Sequence, residues 1–165
     1  KALGPGSALG KIGHGVESLV KKEKIDYIIT VDAAGKLEGE KTGSIAEGVG
    51  VAMGGIGVER SRIEDIAVKR DIPMDGIVIK MSPEEASIPI KKTVFMALKN
   101  AREVVERTIT ETKSKKILLI GVGNTCGIGN TKKSLEGLDI KLKPVWASQK
   151  KEDDKNKKKN SKWTD

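Results

Sequence analysis

Three stretches of the chain combine glycine with charged or small polar side chains, and each is suited to holding an anion. Residues 4–15 read GPGSALGKIGHG, with Gly4, Gly6, Gly10, Gly13 and Gly15 just ahead of a helical pattern. Glycines there let backbone N–H groups approach a phosphate, and a helix N-terminus favours negative charge. Residues 121–130 read GVGNTCGIGN, in which Gly121, Gly123, Gly127 and Gly129 bracket Asn124, Thr125 and Cys126. A strand followed by G-x-G-x-x-x-G lets backbone wrap a phosphate, although no clear amphipathic helix follows this one.

Residues 32–43 read DAAGKLEGEKTG. Lys36, Lys41 and Thr42 are the phosphate-contacting candidates. Asp32, expected at a strand's carboxyl end, is the candidate Mg²⁺ ligand. Asp32, Glu40 and Glu47 are the candidate catalytic carboxylates, with Glu38 a further group able to hold a metal or act as a base. GEKTG is not a P-loop, because that motif needs an adjacent Gly-Lys pair and Glu40 separates Gly39 from Lys41. His14 is the only histidine, which excludes a histidine-based metal cluster from these residues and makes it a helix-start residue. Cys126, the only cysteine, reads as a buried structural thiol.

The elements that must position these stretches alternate along the chain. Residues 25–31 (IDYIITV), 76–80 (GIVIK) and 116–120 (KILLI) are short, β-branched runs of the kind found in buried strands. Residues 1–3 are the stump of another strand, and 140–146 suit an edge strand because of Pro144. Val16, Leu19 and Val20 share one helical face. Ser44 with Glu47 reads as a capping box opening a helix striped by Ile45, Val49, Ala52 and Met53. Ser61 with Glu64 opens another, through Ile63, Ile66 and Ala67, ending near Pro73. Ser82, Pro83 and Glu85 start a third, which Pro89 interrupts. Ile90, Val94, Leu98, Ala101, Val105 and Ile109 then mark the longest helix.

This alternation predicts an α/β fold: a three-layer, Rossmann-like domain with a mostly parallel sheet over residues 1–147, truncated at its N-terminus. Segments leaving parallel strands emerge at one edge, where open α/β sheets bind ligands. Residues 4–15, 32–43, 81–85 and 121–131 would therefore converge.

Composition narrows the function classes. The 165 residues carry a net charge of +8, 37% hydrophobic and 2% aromatic residues, and no apolar run long enough for a membrane helix. One cysteine excludes a disulfide scaffold. Tyr27, Phe95, Trp146 and Trp163 are the only aromatics, and Tyr27 and Phe95 sit in core-like patterns. Base stacking needs more than that, which argues against nucleic acid as a specific partner. Residues 148–165 read as a disordered, lysine-rich tail, in which Lys150, Lys151, Lys155 and Lys157 to Lys159 form a basic arm or simply a solvated end.

The runs TVDAAGKLEGEKTGSIAEGVGVAMGGIGVE, IPMDGIVIKMSPEEA and LLIGVGNTCGIGN resemble the archaeal family catalogued as domain of unknown function 1512, in its C-terminal part. The likeness runs from Gly4 to about Asn130, with departures at Gly35, where a leucine-like residue is expected, and near Ile12, where a proline is. The family has no established activity, so it implies no catalytic residues. It implies an archaeal source and a longer, membrane-anchored parent with this part on the cytoplasmic, intracellular side.

The leading expectation is a binding domain for a nucleotide or another phosphorylated small molecule, with Mg²⁺ as a possible companion. One alternative is a metal-dependent hydrolase or phosphotransferase using Asp32, Glu38, Glu40 and Glu47. Another is a scaffold whose basic tail contacts nucleic acid or an anionic membrane.

Overall fold

The computed structural model describes residues 10–49, 58–123, 126 and 128–160. The expected strands form one mixed sheet. Strand β1 spans Tyr27–Gly35, β2 Ile45–Gly48, β3 Met74–Met81 and β4 Ile117–Gly121. Their order among the described residues is β2-β3-β1-β4. β1 runs parallel to both β3 and β4, and β2 is antiparallel to β3. The three segments expected as parallel strands are thus parallel neighbours.

Six helices are described: α1 (Ile12–Lys22), α2 (Val58–Lys69), α3 (Pro83–Ser87), α4 (Lys92–Thr112), α5 (Lys132–Leu135) and α6 (Leu138–Asn160). The chain divides into two compact units, residues 1–130 and 131–165. The first holds the sheet and α1 to α4; the second holds α5 and α6.

Alternation along β1 sorts the core. Ile28 and Ile29 are both fully buried, yet successive strand residues point to opposite sides of the sheet. Ile28 joins Ile120, Val16 and Val20 of α1, and Ile63, Ile66 and Ala67 of α2 in one cluster. Ile29 joins Ile77 and Val105 of α4 in another. Arg62 of α2 ties α1 down through a 2.7 Å bond to Glu17, and Lys21 and Arg62 together push the Glu17 carboxyl down to about 2. Gly13 permits this packing, because a Cβ there would lie 2.7 Å from the Arg62 Cδ.

Several local expectations need correction. Ser44 and Glu47 do not cap a helix. The Ser44 hydroxyl donates to the Lys41 carbonyl, and Ser44 and Gly43 exchange backbone bonds with Lys80 at 2.8 Å. Glu47 turns away to Arg107 of α4. The sheet edge therefore captures residues 45–48 as β2, and Ala52 and Met53 of the expected stripe lie outside the described residues. Ser61 lies inside α2 instead of capping it, because the helix is already formed at Val58. The α2 backbone ends near Pro73 as expected, with Asp71 in the left-handed region at φ 53°.

The third start is as expected. Ser82 and Glu85 form a reciprocal capping box with Pro83 in the first turn of α3. The long helix is also present, although its buried stripe is Val94, Ala97, Ala101, Val105 and Thr108, rotated from the expected face so that Leu98 and Ile109 stay partly exposed. Residues 140–146 are helical and not an edge strand. A strand needs a neighbour to satisfy its backbone, whereas a helix closes its own bonds and loses only one at Pro144. The same helix continues to Asn160, so residues 148–160 are helical. The expected strand at residues 1–3 lies outside the described residues.

Gly43 fixes the turn into β2. Its φ is 87°, and a Cβ there would stand 2.9 Å from the Thr93 carbonyl oxygen of α4. Gly39 has a similar φ of 85° with nothing within 4 Å of the same position. Urea denaturation should show Gly39→Ala costing about 1 kcal/mol, the left-handed penalty alone. Gly43→Ala should cost at least about 1 kcal/mol more, since backbone crowding adds to the same strain. Equal costs would mean that the β2 turn does not press on α4.

Candidate functional site

The carboxyl ends of the three parallel strands lie at one edge, but they end at different heights. β1 pairs with β3 through Gly35 and Met81, while its pairing with β4 ends at Val31 and Gly121. Asp32 is therefore inside a strand on the β3 side and just past the last pair on the β4 side, where Val122 N–H still reaches the Val31 carbonyl at 2.8 Å. The run DAAG has weak strand propensity and reads as a loop; the hydrogen bonds of β3 make it strand.

Asp32 is mostly buried and faces Arg60 of α2, whose guanidinium lies 3.3 Å from Oδ2. Burial raises its pKa, against the opposing pull of the Ala33 N–H and of Arg60. Arg60 is itself buried and lies 3.7 Å from Glu64, one of whose oxygens has no hydrogen-bond partner. The sequence reading missed Arg60. A basic residue one helical turn before Ile63 and Glu64 is a weak signal for it.

Lys36 and Thr42 are brought together, and a carboxylate already sits between them. Lys36 Nζ donates to the Thr42 hydroxyl at 3.0 Å, and that hydroxyl donates to Glu85 at 2.9 Å. Lys36 and Lys91 flank the same carboxylate at 3.8 and 3.5 Å. Burial pushes the Glu85 carboxyl up, but the Ser82 N–H, the Thr42 hydroxyl and the two lysines outweigh it and hold its pKa below the ordinary value. Glu85 thus receives the contacts that Lys36 and Thr42 were expected to make with a phosphate. Its capping role was legible in the sequence, but its role as the anchor of the preceding loop was not.

The remaining acids are separately paired. Glu40 accepts from Leu37 N–H at 2.7 Å and lies 3.4 Å from Lys80. Glu47 pairs with Arg107. Glu47 lies opposite Ile77 of β3 and bonds to α4, whereas Asp32 bonds to α2. Glu38 and Lys41 are exposed. Among the described residues, no group of three His, Cys, Asp or Glu side chains is arranged to hold a metal ion.

Described residues of the first and last glycine stretches line a common cleft. A cleft of about 400 Å³ runs between α1 and β4. Lys11, Ile12, Gly15, Val16 and Leu19 form its helical wall. Leu118, Leu119, Ile120 and Gly121 form the other, and Gly123 and Asn130 also line it. Lys11 and Asn130 are the polar side chains here, and neither was singled out from sequence. The α1 N-terminus is partly occupied by protein, since Glu59 of α2 accepts the Gly13 N–H at 2.7 Å. Gly10 and Gly129 are described and exposed. Gly4, Gly6, Asn124, Thr125 and Gly127 lie outside the described residues. Cys126 is a half-buried free thiol, and His14 is exposed on α1.

These features define a mixed α/β domain with a cleft of about 400 Å³ between α1 and β4. The chain belongs to the family described as domain of unknown function (DUF1512) C-terminal, whose model matches residues 1–129. Comparison with curated proteins and with solved structures finds no match. Among the described residues, no helix is long and apolar enough to cross a membrane.

Two electrostatic predictions follow from the pairings. Glu85 has a depressed pKa in the folded state, so its stabilisation is complete above the unfolded carboxylate value and is lost as pH falls through the folded one. The stability gap between wild type and Glu85→Gln should therefore be widest near neutral pH and close in acid, as read by urea midpoints across a pH series. A gap independent of pH would show that the carboxylate charge is not what anchors the loop. Arg60→Met removes the cation from between two carboxylates and should cost about 3 kcal/mol in the same assay at neutral pH. It should cost less in acid, where Asp32 takes up a proton.

Proposed function

We propose that this chain is a binding domain for a nucleotide or another phosphorylated small molecule, held at the carboxyl edge of the sheet. The observation that carries this reading is the shared cleft. Residues from two glycine-bearing segments that are distant in sequence, Lys11 and Gly15 from one and Gly121, Gly123 and Asn130 from the other, line the same cavity. Glycine exposes backbone N–H groups, and Lys11 adds a cation at the same end.

The reading is also supported by the pattern of connections. We read the fold as a three-layer, Rossmann-like arrangement, with α2 packed on the Ile28 side of β1 and α4 on the Ile29 side. In such folds ligands bind beyond the carboxyl ends of the strands, and Gly121 and Gly123 lie at and just past the end of β4. The cleft volume falls within the range of small-molecule sites. Lys36 and Thr42 take a supporting role in this reading, since they hold Glu85 and with it the loop beyond β1.

A metal-dependent hydrolase would need Asp32 to share a point with Glu38, Glu40 or Glu47. Asp32, Glu40 and Glu47 are each engaged with a different cation, so binding is the better-supported class.

The test is a thermal-shift screen with nucleotides and sugar phosphates, with and without Mg²⁺. A ligand at a hundred times its Kd should stabilise the fold by about 2.7 kcal/mol, and the melting temperature should rise accordingly. Lys11→Ala should reduce the shift, while Lys41→Ala should leave it unchanged. If no phosphate compound at millimolar concentration moves the melting temperature, the reading fails.

A further inference from the structure

The two borders of the sheet differ in kind. β2, at one border, is short and carries Glu47, which pairs with Arg107, and such charge protects an edge. β4, at the other, reads ILLIG, without charge or proline, which is the composition of an interior parallel strand. Its backbone shows which groups are left over. Val122 N–H donates to the Val31 carbonyl of β1, and strand residues turn their polar groups to alternate sides. Leu118 and Ile120 therefore bond toward β1. Leu119 and Gly121 turn N–H and C=O the other way, where no described strand lies. Apolar surface is left on both faces beside that gap: Leu19 of α1 is 39% exposed on one and Leu119, level with Ile29, is 50% exposed on the other.

The connections indicate where a further strand belongs. α1 runs opposite to β4, because Glu23 at its end pairs with Lys116 just before β4, while Lys11 at its start lines the cleft with Gly121. The chain thus enters α1 from the carboxyl edge, and a strand preceding it would run parallel to β1. α1 and α2 pack in one cluster on the Ile28 face, and α4 packs on the Ile29 face. α2 leads from β1 to β3, and α4 leads back past β1 to β4 on the opposite face, so these two crossovers share one hand. Crossovers between parallel strands are right-handed in nearly all folds. For α1 to keep that hand on the same face as α2, the strand before it must lie on the β4 side of β1. β4 already holds the adjacent place, so the place remaining is beyond β4.

From this we infer that residues 1–3 occupy the open edge of β4 as a fifth strand, parallel to it and bonded to Leu119 and Gly121. Residues 4–10, the glycine-rich GPGSALG, then make the turn into α1, close to the usual length for such a connection. The family match includes all of these residues. The inference does not rest on the anion-binding reading, but it confines any anion to the carboxyl end of the cleft, at Lys11, Gly121 and Gly123.

The experiment is amide hydrogen exchange, read by NMR, on the full chain and on a chain lacking residues 1–9, which keeps α1 whole. In the full chain Leu118, Leu119, Ile120 and Gly121 should all exchange slowly. Shortening should speed Leu119 and Gly121 by about tenfold or more and leave Leu118 and Ile120, bonded to β1, as they were. A second measurement keeps the full length, in case the shortened chain does not fold. A nitroxide attached through Ala2→Cys in a Cys126→Ser background should broaden the Leu119 resonance strongly and those of β2, at the far border, least.

Fast exchange of Leu119 and Gly121 in the full chain would overturn the inference, since the edge would then be open to water. Slow exchange in both chains would also overturn it. Sedimentation as a dimer would in that case assign the edge to the β4 of a second copy, and sedimentation as a monomer to another part of this chain. Broadening that is no stronger at Leu119 than at β2 would place residues 1–3 elsewhere. Neither readout involves a phosphate compound, so failure of the anion-binding reading would leave both unchanged.

Discussion

Strand β1 is hydrogen-bonded in parallel on both sides, and every candidate feature of the first unit is positioned by that pairing. Its register with β3 extends to Gly35, while its register with β4 stops at Val31. The step between these two ends brings Asp32 beside the point where the chain leaves β4. It also delivers the loop after β1 alongside α3, where Glu85 receives it. Burial of Ile28 and Ile29 on opposite sides holds β1 in place, and a slip of one residue would send each into the wrong cluster.

Charge is handled in different ways around that edge. Asp32 is buried with a buried arginine, and its raised pKa shows burial outweighing the cation and the backbone bond. Glu85 is also screened from water, yet two lysines, a hydroxyl and a backbone N–H hold its pKa down. The contrast follows from the number of donors, since a carboxylate that accepts several hydrogen bonds is favoured in its charged form. Glu59 shows a third arrangement, with one helix supplying a carboxylate to the first turn of another. The protein's own carboxylates thus occupy several positions that a sequence reading assigns to phosphate. The α1–β4 cleft is lined by Lys11, Asn130 and glycine backbone together with aliphatic side chains of both elements.

The second unit follows simpler physics. α6 is rich in lysine and carries few apolar positions beyond its first turns, yet it is helical to Asn160. Lys, Gln and Glu are good helix formers, and a helix needs no neighbour to satisfy its backbone. Among the described residues, its buried positions are confined to the first turns, where Leu138 and Leu142 are covered.

The three parallel strands, the Ser82–Glu85 capping box, the break at Pro89 and the long helix after it were all legible in the sequence. Each depends on residues close together in the chain: a β-branched run, a hydroxyl three residues before a carboxylate, a ring that cannot continue a helix. The meeting of the first and last glycine stretches was partly legible too, because parallel strands send their exits to one edge. The tertiary structure alone decided that residues 45–48 join the sheet, since their capping-box pattern is overruled by backbone bonds to Lys80 and by the attraction of Glu47 to Arg107. It also decided that Lys36 and Thr42 bind Glu85, that Arg60 lies beside Asp32, and that Lys11 and Asn130 line one cleft. These partners are tens of residues apart, and side-chain chemistry specifies which groups can pair without saying which ones the folded backbone brings within reach.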